Sequence, residues 1–198
     1  MCRNLLSGDN FVGDALDAAD ENRNTDNVKG FLAEVSRKWE AATEAAKKSK
    51  KHRVVNMRFA VALSKKGGAL QKLFPVFFLG GGGIIGNGQQ YFTFISARDL
   101  ARGIVHCLET DSLQGPVNMC APYPCTNKEF TKALGEVMSR PTLLPFPGFA
   151  VSLLFGEMGN EMLLGGVKAV PKKLVDTGFE FLHPTIKDAL SSAMKEDI

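Results

Sequence analysis

From Phe31 onward the apolar residues take up regular spacings, and those spacings predict an alternation of helices and short strands. Phe31, Val35 and Trp39 recur at i, i+4 and i+8, one apolar stripe on a helix, with Leu32 and Ala42 alongside. Glu34 with Lys38 and Glu44 with Lys48 are i,i+4 pairs in the favourable order. Val54 to Phe59 is a short apolar run suited to a buried strand. Gly67 to Phe78 opens as a helix over GALQKLF and is expected to stop at Pro75. Tyr91 to Ile95 reads as a strand. Ser96-x-x-Asp99 then reads as a capping box for a helix over Ala97 to Thr110, with Leu100, Ile104 and Leu108 on one face. That box gives Asp99 the local task of satisfying a helix N-terminal N–H.

Pro116 to Cys120 predicts another strand, and Thr126-x-x-Glu129 caps a helix over Asn127 to Ser139 with Phe130, Leu134 and Val137 inward. The three prolines of PTLLPFPGFAV, from Pro141, exclude regular helix or inner strand and mark an extended crossing. Pro171 opens a helix, Gly178 to Phe181 reads as a turn and short strand, and Thr185-x-x-Asp188 opens a last helix within Pro184 to Lys195. Strands alternating with helices of this length predict an α/β fold with parallel pairing. The last sixty or so residues, mostly helical, are expected to cover one end of it.

Residues 1 to 30 break this pattern. They are poor in large apolar groups, and DALDAADENRNTDNVKG carries five acids and three asparagines, the composition of a flexible leader.

Composition narrows the classes. At 198 residues, with 44% hydrophobic and 23% charged residues, the chain suits an ordinary globular protein with one main core. A net charge of +3 is too mild to argue for nucleic acid. KKSKKHR, residues 47 to 53, lacks interleaved aromatics and reads as a solvated helix end. The longest apolar runs fall far short of the roughly 20 residues of a membrane span. No N-terminal stretch has the layout of a secretory signal, and four cysteines without metal-ligand spacing suit a reducing, intracellular setting. Cytoplasm and organelle, plastid or mitochondrion, both stay open.

Visible chemistry is sparse. Gly81, Gly83 and Gly86 satisfy G-x-G-x-x-G, the pattern of a dinucleotide phosphate cradle. That cradle needs a helix N-terminus directly after the glycines. Here Asn87-Gly88-Gln89-Gln90 and the Tyr91 strand follow, so the stretch reads as a surface loop whose backbone can approach a neighbour closely. Neither Tyr91 nor Tyr123 begins a Y-x-x-x-K, and His52, His106 and His183 lie in unrelated contexts. No metal site is expected. Arg58 stands near a strand's carboxyl end, where open α/β sheets collect ligands, and either meets an anion or pairs on the surface.

Five stretches carry a resemblance: FLAEVSRKWE (31–40), VVNMRFAVALSKKGGAL (54–70), FLGGGGIIGNGQQYFTFISARDL (78–100), residues 113–157 and GGVKAVPKKLVDTGFEF (165–181). In this order they resemble the C-terminal two-thirds of the sugar-nucleotide-epimerase-like branch of the extended short-chain dehydrogenase/reductases. The resemblance implies an α/β fold that is the C-terminal part of a Rossmann-like, doubly wound parallel sheet. Residues 31–139 would form a partial NAD(P)-binding domain lacking the phosphate-binding first βα unit, and 140–198 a small, mostly helical C-terminal domain.

The same resemblance implies an N-terminally truncated family member, because no glycine turn or active-site Ser/Tyr segment precedes Phe31. Motifs also depart inside the match. The family's I-H-x-D-D-L stands as Ile95-Ser96-Ala97-Arg98-Asp99-Leu100, its G-x-V-L-G as Ala60 to Ser64, and its S/G-Q-R-V-x-P as Gly166-Val167-Lys168-Ala169-Val170-Pro171.

Carried over by position, Arg58, Gln89, Gln90 and Asp99 would bind substrate, and Phe59, Ala60 and Val61 would lie near the nicotinamide of NAD(P). No residue would be a catalytic acid. The implied activity is NAD(P)-dependent epimerisation or reduction of a sugar nucleotide or similar carbonyl compound. As this chain it is expected to be inactive and not to hold NAD(P) tightly. The alternative is a non-catalytic binding or scaffolding protein that keeps the substrate half of the fold. A sheet lacking its first strands has a bare inner edge, so self-association through that edge is expected.

Overall fold

The structure, a computed structural model, describes residues 31–49, 51–142 and 168–195. In chain order the elements are α1 (Phe31–Ala42), α2 (Glu44–Lys48), β1 (Val55–Phe59), β2 (Val61–Leu63), α3 (Gly68–Phe78), β3 (Tyr91–Phe92) and β4 (Phe94–Ser96). There follow α4 (Ala97–Glu109), β5 (Gly115–Met119), β6 (Cys125–Thr126), α5 (Asn127–Met138), α6 (Lys172–Asp176) and α7 (Ile186–Lys195). The expected leader, residues 1 to 30, and most of the proline-rich crossing lie outside the described residues.

Parallel pairing builds the sheet. β1 runs beside β5 with Val55 opposite Gly115 and Phe59 opposite Met119, and β2 runs beside β4 with Val61 opposite Phe94. The extended chain from Val55 to Leu63 thus changes partner at Ala60. The Ala60 N–H still bonds the Met119 carbonyl at 3.1 Å, and the Val61 N–H takes the Thr93 carbonyl at 3.2 Å. The expected single strand over Tyr91 to Ile95 is likewise broken at Thr93, because β3 pairs antiparallel with β6 while β4 pairs with β2.

Two cores result. One gathers Leu70, Leu73 and Phe77 of α3, Phe130 and Leu134 of α5, and Ala189, Leu190 and Ala193 of α7 around Leu63, Phe92 and Phe94. The other gathers Cys107, Leu113, Val117, Met119, Leu174 and Phe179, with Val55, Met57, Leu100 and Ile104 packed against them. The last helices therefore complete the cores of the sheet: α7 packs on α5, β4 and β2, and α6 on β5.

Several expectations are corrected. α3 continues through Pro75 to Phe78. The proline removes only the donor to the Gln71 carbonyl, both residues are exposed, and buried Leu70, Leu73 and Phe77 hold the helix on both sides. On α4 the buried residues are Asp99, Gly103 and Cys107; Leu108 is exposed, since burial of Gly103 turns the helix about a quarter-turn from the expected stripe. Trp39 is 73% exposed, so the expected stripe of α1 is not covered there. Phe179 to Phe181 is irregular rather than a strand, its rings stacked edge-on at 4.8 Å. β1, expected to be buried, is at most half-buried throughout and has β5 as its one strand partner among the described residues.

Candidate functional site

The carboxyl ends of β1 and β5 meet where the chain changes partner. Alternation along β1 sends Val55 and Met57 to the second core and Asn56 and Arg58 toward α1 and its following turn. Arg58 donates two parallel hydrogen bonds to Glu40, Nε to Oε1 at 2.7 Å and Nη2 to Oε2 at 2.9 Å. This bidentate fork holds the half-buried Glu40 carboxyl below its usual range; burial opposes the shift and does not overcome it. The surface-pair reading of Arg58 thus holds in this structure, with the guanidinium rigidly presented at a strand end.

Beyond Arg58, Phe59 is 59% exposed, a large ring open to solvent at the strand's end. Ala60 and Val61 have both N–H groups spent on Met119 and Thr93, so this stretch leaves no backbone donors for a ligand at 60 and 61.

A short strap crosses the same place. The Asn118 amide, at the register position facing Arg58, donates to the Val170 carbonyl at 3.2 Å. The Ala169 N–H donates to Thr93 Oγ1 at 3.4 Å, and Lys168 Nζ stands 4.8 Å from the Tyr91 ring centroid. Lys168, Tyr91, Thr93 and Asn118 are the side chains gathered at this junction that the sequence reading did not single out. The one available signal was Lys168, a cation standing where the resembled family's motif has arginine.

The glycine loop does something other than cradle phosphate. The carbonyls of Gly88 and Gln90 accept the N–H groups of Lys128 and Asn127, and Asn127 Oδ1 accepts the Ile85 N–H. The loop therefore caps the N-terminus of α5, some forty residues on, with acceptors, where a cradle would present donors. Gly88 has φ +72° and lies so close to Ile84 and Lys128 that a Cβ would meet Ile84 Cγ2 at 2.5 Å. Gln89 is exposed, its N–H held by Asn87 Oδ1, while the Gln90 amide donates to the Ile85 carbonyl at 3.0 Å.

Asp99 has another task. Its side chain is fully buried, Oδ1 accepting the Leu182 N–H at 3.0 Å and Arg102 Nη1 at 2.9 Å, and Oδ2 the His183 N–H at 2.8 Å. Ser96 Oγ caps the Asp99 N–H as expected, yet the carboxylate does not return to Ser96; it clamps the segment before α7. The expected substrate role of Asp99 thus meets a carboxylate with no exposed surface and three donors already on it. The structure thus brings Arg58, Phe59, Ala60 and Val61 together by sequence adjacency, puts Gln89 and Gln90 on the loop below Tyr91, and buries Asp99 apart from them.

Elsewhere, burial pushes the Cys125 thiol up to about 12, with Glu129 adding to the shift, so it is inert near neutral pH. Among the described residues no three His, Cys, Asp or Glu side chains group as a metal site, and no helix is long and apolar enough to cross a membrane.

Comparison with known proteins places these features in a family. A profile described as a domain of unknown function, DUF1731, matches residues 146–193. An epimerase family protein of Mycobacterium bovis is 44% identical over 164 residues, 83% of this chain and 54% of the relative. The chloroplastic SDR39U1 homologue of Arabidopsis thaliana is 41% identical over 172 residues, 87% of this chain and 49% of that protein. The crystal structure of the human epimerase family protein SDR39U1 (isoform 2) with NADPH superposes with a TM-score of 0.78 at 33% identity, covering 89% of this chain and 59% of that one. The chain spans about half the length of the curated relatives it matches. It belongs to the epimerase-like branch of the extended short-chain dehydrogenase/reductase family and has a Rossmann-like fold.

Proposed function

We propose that this chain supplies the substrate-facing half of an NAD(P)-dependent epimerase- or reductase-like protein acting on a sugar nucleotide or similar phosphate-bearing carbonyl compound. The observation that carries the reading is the junction at Ala60. There the carboxyl ends of β1 and β5, the strap at 168–170 and the fixed guanidinium of Arg58 converge, in the position where open α/β sheets bind ligands. Arg58 and Lys168 are the groups for the anionic part, and Gln89 and Gln90 those for sugar hydroxyls. Asp99 acts on substrate only through the segment it clamps. Residues 31–139 are the partial NAD(P)-binding unit and 140–198 the C-terminal domain.

The cofactor of this family supplies hydride transfer when bound. The residues that would border its nicotinamide end are Phe59, Ala60 and Val61, and the exposed Phe59 ring suits an apolar face there. The phosphate end has no counterpart in the glycine loop, whose carbonyls face the α5 N–H groups. Tight NAD(P) binding is therefore not expected of this chain alone, nor is turnover, since none of the described residues takes the part of a catalytic acid. The half-buried β1, paired with β5 only among the described residues, is the edge through which self-association is expected.

Calorimetric titration with UDP-glucose tests the substrate assignment. Saturable binding that falls about tenfold or more in Arg58→Ala is expected, the loss of one charge-assisted contact. Absence of binding by any sugar nucleotide would remove it. In parallel, NADPH fluorescence is expected to show no saturable enhancement; an enhancement would contradict the cofactor statement. Sedimentation at several concentrations tests the edge, a monomer at all of them being the contrary result.

A further inference from the structure

We propose that the cavity between the N-terminus of α4 and one face of α7 is a second binding site, for a phosphate group, centred on the imidazole of His183. It is an open depression of about 450 Å³ and shares no lining residue with the junction at Ala60. Its polar lining consists of Arg98 from α4, His183 from the preceding segment, and Asp188, Ser191, Ser192 and Lys195 from one face of α7.

The imidazole is held from behind. His183 Nδ1 lies 3.0 Å from Ser96 Oγ and 3.7 Å from Asp99 Oδ2, and the His183 backbone N–H is tied to that same carboxylate oxygen. Ser96 and Asp99 are 2% and 0% exposed, so the support is rigid and dry. A carboxylate beside Nδ1 favours the proton there, and Ser96 Oγ, which already accepts the Asp99 N–H, accepts a second donor with its other lone pair. With Nδ1 turned to Ser96 and Asp99, Nε2 is the ring atom left to meet a ligand, and in that tautomer it accepts from a protonated phosphate oxygen.

Charge selects an anion. Arg98 and Lys195 are cationic, and Asp188 is the one carboxylate among the described lining residues. Asp188 Oδ2 is already committed to the Thr185 hydroxyl at 2.6 Å and the Thr185 N–H at 3.3 Å. Arg102, the other charge near the buried Asp99, is committed to Asp99 Oδ1 and the Glu180 carbonyl. The hydroxyls of Ser191 and Ser192 add short polar groups on the same helix face, and the volume exceeds that of a bare ion, which suits a small phosphorylated compound as well as free phosphate.

The test is NMR titration of the full chain with inorganic phosphate and with glucose 6-phosphate, following the His183 ring nitrogens and the Ser191 and Ser192 amides. Saturable shifts at these three residues are expected. The double variant Arg98→Ala, Lys195→Ala should weaken binding about tenfold or more; both side chains are exposed, so the fold should be retained. Tighter binding of the monoester would identify a phosphorylated metabolite as the ligand, and equal binding phosphate itself. Shifts that stay linear with concentration, appear equally with chloride, or survive the double variant overturn the proposal. So do shifts confined to Arg58 and Lys168 with His183 silent.

Discussion

Replacing Asp99 by asparagine probes the clamp that joins α4 to the segment before α7. The carboxylate takes two backbone N–H groups and one guanidinium N–H with no solvent contact of its own. In its better orientation an asparagine keeps its oxygen on Leu182 and Arg102 and turns its NH2 toward the His183 N–H. One buried donor is then orphaned, at a cost of about 1–3 kcal/mol. Loss of charge opposite Arg102, whose side chain is 38% exposed, adds only about 0–1 kcal/mol after screening. The expected destabilisation by urea unfolding is therefore roughly 1–4 kcal/mol, a large share of the 5–15 kcal/mol typical of a domain. Amide exchange at Leu182 and His183 should accelerate more than at Leu134, which lies in the α5 core. A loss below about 0.5 kcal/mol with unchanged exchange at 182 and 183 would refute the clamp.

Other outcomes follow from single contacts. Gly88→Ala forces a side chain into φ +72° and against Ile84 and Lys128, so a loss of about 1–3 kcal/mol is expected in thermal unfolding; a neutral result would mean the loop shifts freely. Glu40 has a folded-state value below 4.5, so its stabilisation is complete above the usual carboxylate range and is lost as pH falls through the lowered value. Glu40→Gln should flatten that acid limb of stability against pH, and an unchanged limb would contradict the Arg58 fork. Cys125, with its thiol pushed up to about 12, should resist iodoacetamide at pH 8 until denaturant is added; rapid native labelling mapped to it would count against its burial.

Local chemistry made part of this molecule legible in the chain alone. Thr126-x-x-Glu129 forms the reciprocal capping box, Thr185-x-x-Asp188 opens α7, Glu34 pairs with Lys38 at 2.7 Å, and the Phe130 and Leu134 face of α5 is buried. Each depends on residues three to four apart on one helix, an arrangement a sequence contains in full. The runs around Met57 and Val117 also became strands, and the likeness of five segments to one family led to the right fold.

What lay beyond reach were contacts between distant positions. Nothing within Ser96 to Leu100 says that the Asp99 carboxylate turns away from its own helix cap to hold Leu182 and His183, 83 and 84 residues on. A capping box and a buried clamp have the same local sequence; only the approach of another segment decides between them. The glycine loop is alike in this: its spacing matches a phosphate cradle, yet which backbone groups it presents depends on α5 arriving above it with unpaired N–H groups. Sequence by itself determined which residues could cap, pair and pack locally. Tertiary structure decided which buried donor each acceptor met, because an unpaired polar group is costly once water is excluded, and the partner that avoids this cost is found across the fold.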